Sequence, residues 1–158
     1  MTSEDLQKRI SEAKEGAVDL TSEEDLALGV MNLIASEEHL FFTYEKTKKK
    51  EYLKSLNSIR DLRKVLMARM IPQYEGELWC TCKHLLSATM RLSEVGTKAL
   101  GQGDTKGAKE AFDHAYFVFN VFWGLRLKII DLPAVDHVKS GGITLGDIMS
   151  QAINCCDE

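Results

Sequence analysis

Apolar residues recur along this chain at intervals of three and four, the period of a helix with one buried stripe. Leu26, Val30, Leu33, Ile34, Leu40, Phe41 and Tyr44 form one such stripe. Tyr52, Leu56, Ile59, Leu62, Leu66 and Met70 form a second, and Leu78, Leu85, Ala88, Leu92, Val95 and Ala99 a third. Phe112, Tyr116, Phe119, Phe122 and Trp123 make the fourth. A weaker pattern through Leu6, Ile10, Ala13 and Ala17 precedes them. No stretch alternates with the period of two that strands need.

The punctuation between these stripes sets the predicted elements. Thr21 and Glu24 have the spacing of a capping box, which predicts the start of the second helix there. One helix from Leu26 to Met70 would be unusually long, so a tight turn is expected near Thr47 to Lys50, across Lys48-Lys49-Lys50. The third helix should stop before Pro72, because a residue preceding proline is pushed out of the helical region. The fourth is expected from Glu77 to about Leu100, and Gly101-Gln102-Gly103-Asp104 reads as a turn with Asp104 capping the next helix. That fifth helix is expected from about Thr105 to Ile130. Ser140-Gly141-Gly142 reads as a flexible joint, and Thr144 as the cap of a short last helix from Leu145 to about Asn154.

Short loops between long helices make antiparallel neighbours. The expected fold is therefore all-α, an antiparallel four-helix bundle core with short accessory helices at both termini. Residues 1–139 are expected to form one domain with its core in about 22–131, followed by the joint and last helix in 140–158.

Size and charge narrow the function classes. A chain of 158 residues with 44% hydrophobic and 28% charged residues suits one domain with its own core. A net charge of −4 argues against non-specific binding to nucleic acid or anionic lipid. Met1 to Glu15 lacks the apolar core of a secretion signal, and the most apolar window, Ala115 to Leu125, is about half a membrane span and contains Asn120. These features predict a cytoplasmic protein with no membrane partner, in which the four cysteines are free thiols rather than a disulfide framework.

Gly76-Glu77-Leu78-Trp79-Cys80, continuing through Lys83-His84-Leu85-Leu86, Met90-Arg91-Leu92 and Glu94-Val95-Gly96, resembles a small uncharacterised family of archaeal all-helical proteins. Glu37-Glu38-His39-Leu40 and Phe122-Trp123-Gly124-Leu125 share the resemblance, which covers roughly Leu26 to Leu127 and implies no activity. Two enzyme families can be tested on residues. Ferritin-like di-metal bundles need a Glu-x-x-His pair on two helices, and none of His39, His84, His114 or His137 has a Glu three residues before it. Helical nucleases of the HEPN type carry an Arg followed at a gap of four to six residues by His, which is absent here.

Three constellations remain. On a plot of 100° per residue, Glu37, Arg63 and Arg126 fall inside apolar stripes, where charges sit only when paired. They predict either a buried ion pair of Glu37 with an arginine, or a core site in which a spare arginine binds an anionic ligand. Glu77, Cys80 and His84 share one side of the fourth helix, with Cys80 in the first turn where the dipole favours a thiolate. They predict either a metal site for zinc or iron, or an inert cysteine beside a surface histidine. A four-thiolate zinc site joining Cys80 and Cys82 to Cys155 and Cys156 would need the fourth helix to unwind. Finally, Phe117, Val118 and Val121 face away from the core stripe of the fifth helix and predict a covered second face, either by the terminal helices or in a homodimer. The cluster Lys46, Lys48, Lys49, Lys50 and Lys54 reads as a solvated turn; an RNA contact would want aromatic interleaving. Taken together, the residues point more to a non-catalytic binding or scaffold protein, homodimeric or with another protein partner, than to an enzyme. A metal- or thiol-dependent protein and a binder of small anions are the rival readings.

Overall fold

The computed structural model describes residues 3–15, 20–71 and 76–131. Five helices occur in them: α1 (Ser3–Glu15), α2 (Leu20–Thr47), α3 (Glu51–Met70), α4 (Gly76–Gly101) and α5 (Thr105–Arg126), and no strand. The fold is all-α. The domain boundary at 139, the Ser140-Gly141-Gly142 joint and the last helix lie outside the described residues.

Local chemistry explains most of the boundaries. Lys48 takes a left-handed conformation (φ 56°) and its amide donates to the Tyr44 carbonyl at 2.6 Å, which closes α2 without glycine. Thr47 Oγ1 accepts from the Lys49 amide at 3.3 Å, and α3 begins two residues later. The second turn uses Gly103 at φ 81° and an Asp104 side chain that accepts from the Gly107 amide at 2.9 Å. Two ends differ from expectation. α2 already includes Leu20 and Thr21, so the helix starts by Leu20, a residue ahead of the expected cap. α5 stops at Arg126 rather than Ile130: Lys128 is left-handed (φ 57°), and the Ile129 and Ile130 amides both turn back to the Gly124 carbonyl.

The helices pack as two antiparallel hairpins, α2–α3 and α4–α5, joined chiefly through α2 and α4. Glu23, near the start of α2, pairs with Arg126 at the end of α5 (2.9 Å), and Glu38, midway along α2, pairs with Arg91 on α4. Both hairpin turns, 48–50 and 102–104, therefore lie at one end of a four-helix arrangement. We call that end distal. The opposite, proximal end holds the main core: Ala27, Val30, Met67, Met70, Leu86, Phe122, Trp123 and Ile129. α1 docks there, where Arg9 Nη1 donates to the Lys128 and Ile129 carbonyls at 3.1 and 3.3 Å.

The buried face of α4 is rotated from the one the stripe predicts. Cys82, Leu86, Thr89 and Gly96 are buried, whereas Val95 is exposed. The cause is close packing of small residues. Ala108, Ala111 and Ala115 line the buried side of α5, and a Cβ on Gly96 would come within 2.5 Å of the Phe112 ring. A seam of small side chains lets two helix axes approach and sets which α4 residues the seam covers.

Candidate functional site

Two adjacent carboxylates on α2 hold the middle of the bundle. Arg63 donates from Nε to Glu37 Oε1 at 2.7 Å and from Nη2 to Oε2 at 3.1 Å, a two-pronged pair with the guanidinium buried. The next residue, Glu38, takes Arg91 of α4. Consecutive helical residues point about 100° apart, so α2 grips one neighbour with each carboxylate. The expected ion pair is thus present with Arg63, and Arg126 is not part of it. Arg126 instead pairs with Glu23, a residue the stripe analysis did not single out because it sits in the capping turn.

This polar layer divides the bundle. Proximal to it the stripes are buried: Val30 on α2 is 0% exposed and Trp123 on α5 is 1% exposed. Distal to it the same stripes open. Phe41, one turn beyond Glu37 on α2, is 47% exposed, and Tyr116, two turns before Trp123 on α5, is 53% exposed. Phe42 on α2, Val95 on α4 and Phe112 on α5 are also exposed, with the Phe112 ring lying against Gly96 of α4. The distal end therefore leaves a set of large apolar side chains exposed. Phe41 and Phe42 lie against each other within it, ring centroids 5.2 Å apart.

The distal end is also charged on one side. Residues 41–54 carry Lys46, Lys48, Lys49, Lys50 and Lys54 against Glu45 and Glu51, a surplus of three positive charges in a chain of net charge −4. All five lysines are exposed. Lys48 is tied to Glu45 and lies over the Tyr44 ring at 5.5 Å.

The other sequence-predicted residues are placed as follows. Glu77, Cys80 and His84 are exposed on α4, and among the described residues no three His, Cys, Asp or Glu side chains come together to hold a metal ion. Cys155 and Cys156 lie outside those residues. Cys82 is buried, and desolvation pushes its thiol up from 9.0 to about 11 against the opposing pull of the Arg126 guanidinium. Of the predicted outer face of α5, Phe117 is exposed and Val118 half-buried, but Val121 is 4% exposed. Val121 cannot serve an interface, because α5 is enclosed by its own chain on every side from Asn120 to Leu125. In this enclosed stretch the Asn120 Nδ2, Trp123 Nε1 and Arg126 Nε donors have no partner among the described residues.

No protein-family model, no curated protein and no solved structure matches this chain.

Proposed function

We propose that this chain is a non-catalytic helical-bundle binding or scaffold protein, whose recognition surface is the set of exposed apolar side chains at its distal end. The observation that supports it is the exposure gradient along the stripes of α2 and α5, from fully buried below the Glu37–Arg63 pair to half-exposed above it. Full burial of a large apolar side chain is worth about 1.5–3 kcal/mol. Five such side chains left about half-exposed hold on the order of 5 kcal/mol for whatever covers them. An amphipathic helix is a partner that could cover these side chains with one apolar stripe.

The test is fluorescence polarisation with a labelled helical peptide, leucines at i, i+3, i+4 and i+7 and an acidic polar face. Binding in the micromolar range is expected, weakened at least about tenfold in Phe41→Ser/Tyr116→Ser. Val65→Ser, an exposed site on the outer side of α3, should leave binding unchanged. Binding indifferent to Phe41 and Tyr116 would sink the reading.

A homodimer is the second reading. Apolar side chains gathered at one end can be buried against the same end of a second copy about a two-fold axis. A mass that doubles with concentration in sedimentation, and returns to monomer in Phe41→Ser/Tyr116→Ser, would favour it. Both readings place the protein in the cytoplasm without a membrane partner; no helix among the described residues is long and apolar enough to cross one.

A further inference from the structure

The exposed Phe41 and Phe42 lie beside positive charge that the chain does not compensate. Lys46, Lys49, Lys50 and Lys54 are exposed and form no ion pair among the described residues, whereas Arg63, Arg91, Lys109 and Arg126 each hold a carboxylate. Phe42 and Lys46 are one turn apart on α2, about 5–6 Å between Cβ atoms. Past the turn, the Lys54 amide donates to the Lys50 carbonyl at 3.3 Å, which sets these two lysines one turn apart at the start of α3. The charge is confined to this side of the distal end. In the other turn, residues 100–113 carry Lys106 and Lys109 against Asp104, Glu110 and Asp113.

Four like charges on one turn repel one another, and a partner that brings carboxylates relieves the repulsion. A second copy docked through the same end brings the same lysines instead. A single-stranded nucleic acid brings phosphates, but its bases need free aromatic faces on which to stack. Phe41 and Phe42 lean on each other at 58°, and Lys48 covers one face of the Tyr44 ring. Since the whole chain is at −4 and residues 41–54 are at +3, the remainder stands at −7 and repels a polyanion long enough to run past the turn. A short acidic helix meets neither obstacle, because it carries carboxylates on one face and apolar side chains on the other.

We infer that the partner of the distal end is an acidic amphipathic helix, whose apolar stripe covers Phe41 and Phe42 while its carboxylates meet Lys46, Lys49, Lys50 and Lys54. The inference rests on the distal end being a recognition surface and adds the chemical class of the partner. Exposed ion pairs contribute little each, so charge here sets selectivity more than raw affinity.

The experiment is fluorescence polarisation of the full chain with three labelled helical peptides. All share leucines at i, i+3, i+4 and i+7, and their polar faces carry glutamate, glutamine or lysine. The glutamate peptide should bind about tenfold more tightly than the glutamine peptide in about 50 mM salt, and the lysine peptide more weakly than either. Raising the salt to about 500 mM should close most of this gap, because the screening length falls to about 4 Å. Lys46→Gln/Lys49→Gln/Lys50→Gln/Lys54→Gln should remove the preference for glutamate and leave glutamine-peptide binding unchanged. All four positions are exposed, so the variant should keep its helical circular dichroism.

Glutamate and glutamine peptides that bind alike through Phe41 and Tyr116 would overturn the inference and keep the recognition surface. A glutamate preference that survives the four lysine changes would overturn it too. Lysine-dependent binding of the glutamate peptide that ignores Phe41→Ser/Tyr116→Ser would reject the recognition surface itself, and the inference with it. A labelled single-stranded oligouridine that binds more tightly than the glutamate peptide would assign the turn to nucleic acid and overturn the inference equally.

Discussion

Glu37 had two guanidiniums within reach of its stripe, and the structure pairs it with Arg63. Arg63 is buried and Glu37 nearly so, and the two bonds between them satisfy groups that would otherwise be stranded. Arg63→Leu should therefore destabilise the fold by about 2–4 kcal/mol, because it leaves a carboxylate in the bundle without its partner. Glu37→Leu/Arg63→Leu should recover most of that loss, and urea unfolding of the two variants gives the comparison. Equal losses in both would mean that the pair contributes packing and not charge. Cys82 makes a different prediction. Its thiol is neutral and its folded pKa of about 11 lies above the ordinary 9.0. The folded state thus holds the proton more tightly, and the associated stability is complete below pH 9 and disappears as pH rises through 11. A loss on the order of 2–3 kcal/mol across that window is expected in the wild-type chain and absent from Cys82→Ala, read as the difference between their unfolding curves. The same burial keeps Cys82 unreactive, whereas Cys80 is open to thiol reagents.

At the scale of elements, the helices were legible because their signals are local. α3 stops at Met70 as expected from the proline that follows in the sequence, Asp104 caps α5, and the stripes run at helical period. The turn at 47–50 was legible from helix length alone, since Lys48-Lys49-Lys50 contains no turn residue. The structure shows how it is made, with Lys48 in the left-handed conformation that glycine takes without steric penalty. Lys48→Gly should accordingly raise stability by roughly 0.5–1 kcal/mol in thermal or urea unfolding, because the exposed Glu45 contact that it removes is worth little. A loss of stability would show that the contacts of Lys48 with Glu45 and Tyr44 outweigh its backbone strain. The rotation of α4 was not legible in its stripe. Leu78, Leu85, Leu92 and Val95 mark an apolar side, but the seam with α5 forms where Gly96 and three alanines allow the closest approach.

For the whole molecule, the decisive feature is asymmetry between ends. The proximal end buries Phe122, Trp123, Met67 and Met70 and is braced by Arg9, Arg63 and Arg126, whereas the distal end leaves aromatic side chains half-exposed beside a lysine-rich turn. A complete bundle would close both. Net charge hid this asymmetry: a value of −4 says that the chain as a whole repels anions, while residues 41–54 carry a surplus of the opposite sign. Peptide binding through Phe41 and Tyr116 is a prediction at this scale because it depends on both hairpins at once.

The sequence by itself determined the all-α class, the five helices and the hairpin order, because period, caps and loop length act between residues close in the chain. It also determined that Glu37 needs an arginine. Tertiary structure alone decided which arginine, that Val121 is enclosed by its own chain, and that the stripes of α2 and α5 close at one end only. The physical reason is that an apolar stripe states which face of a helix avoids water, but not what that face meets. Whether a neighbour arrives depends on how near two axes can come, and that is set by small side chains and ion pairs on other helices, far away in the chain.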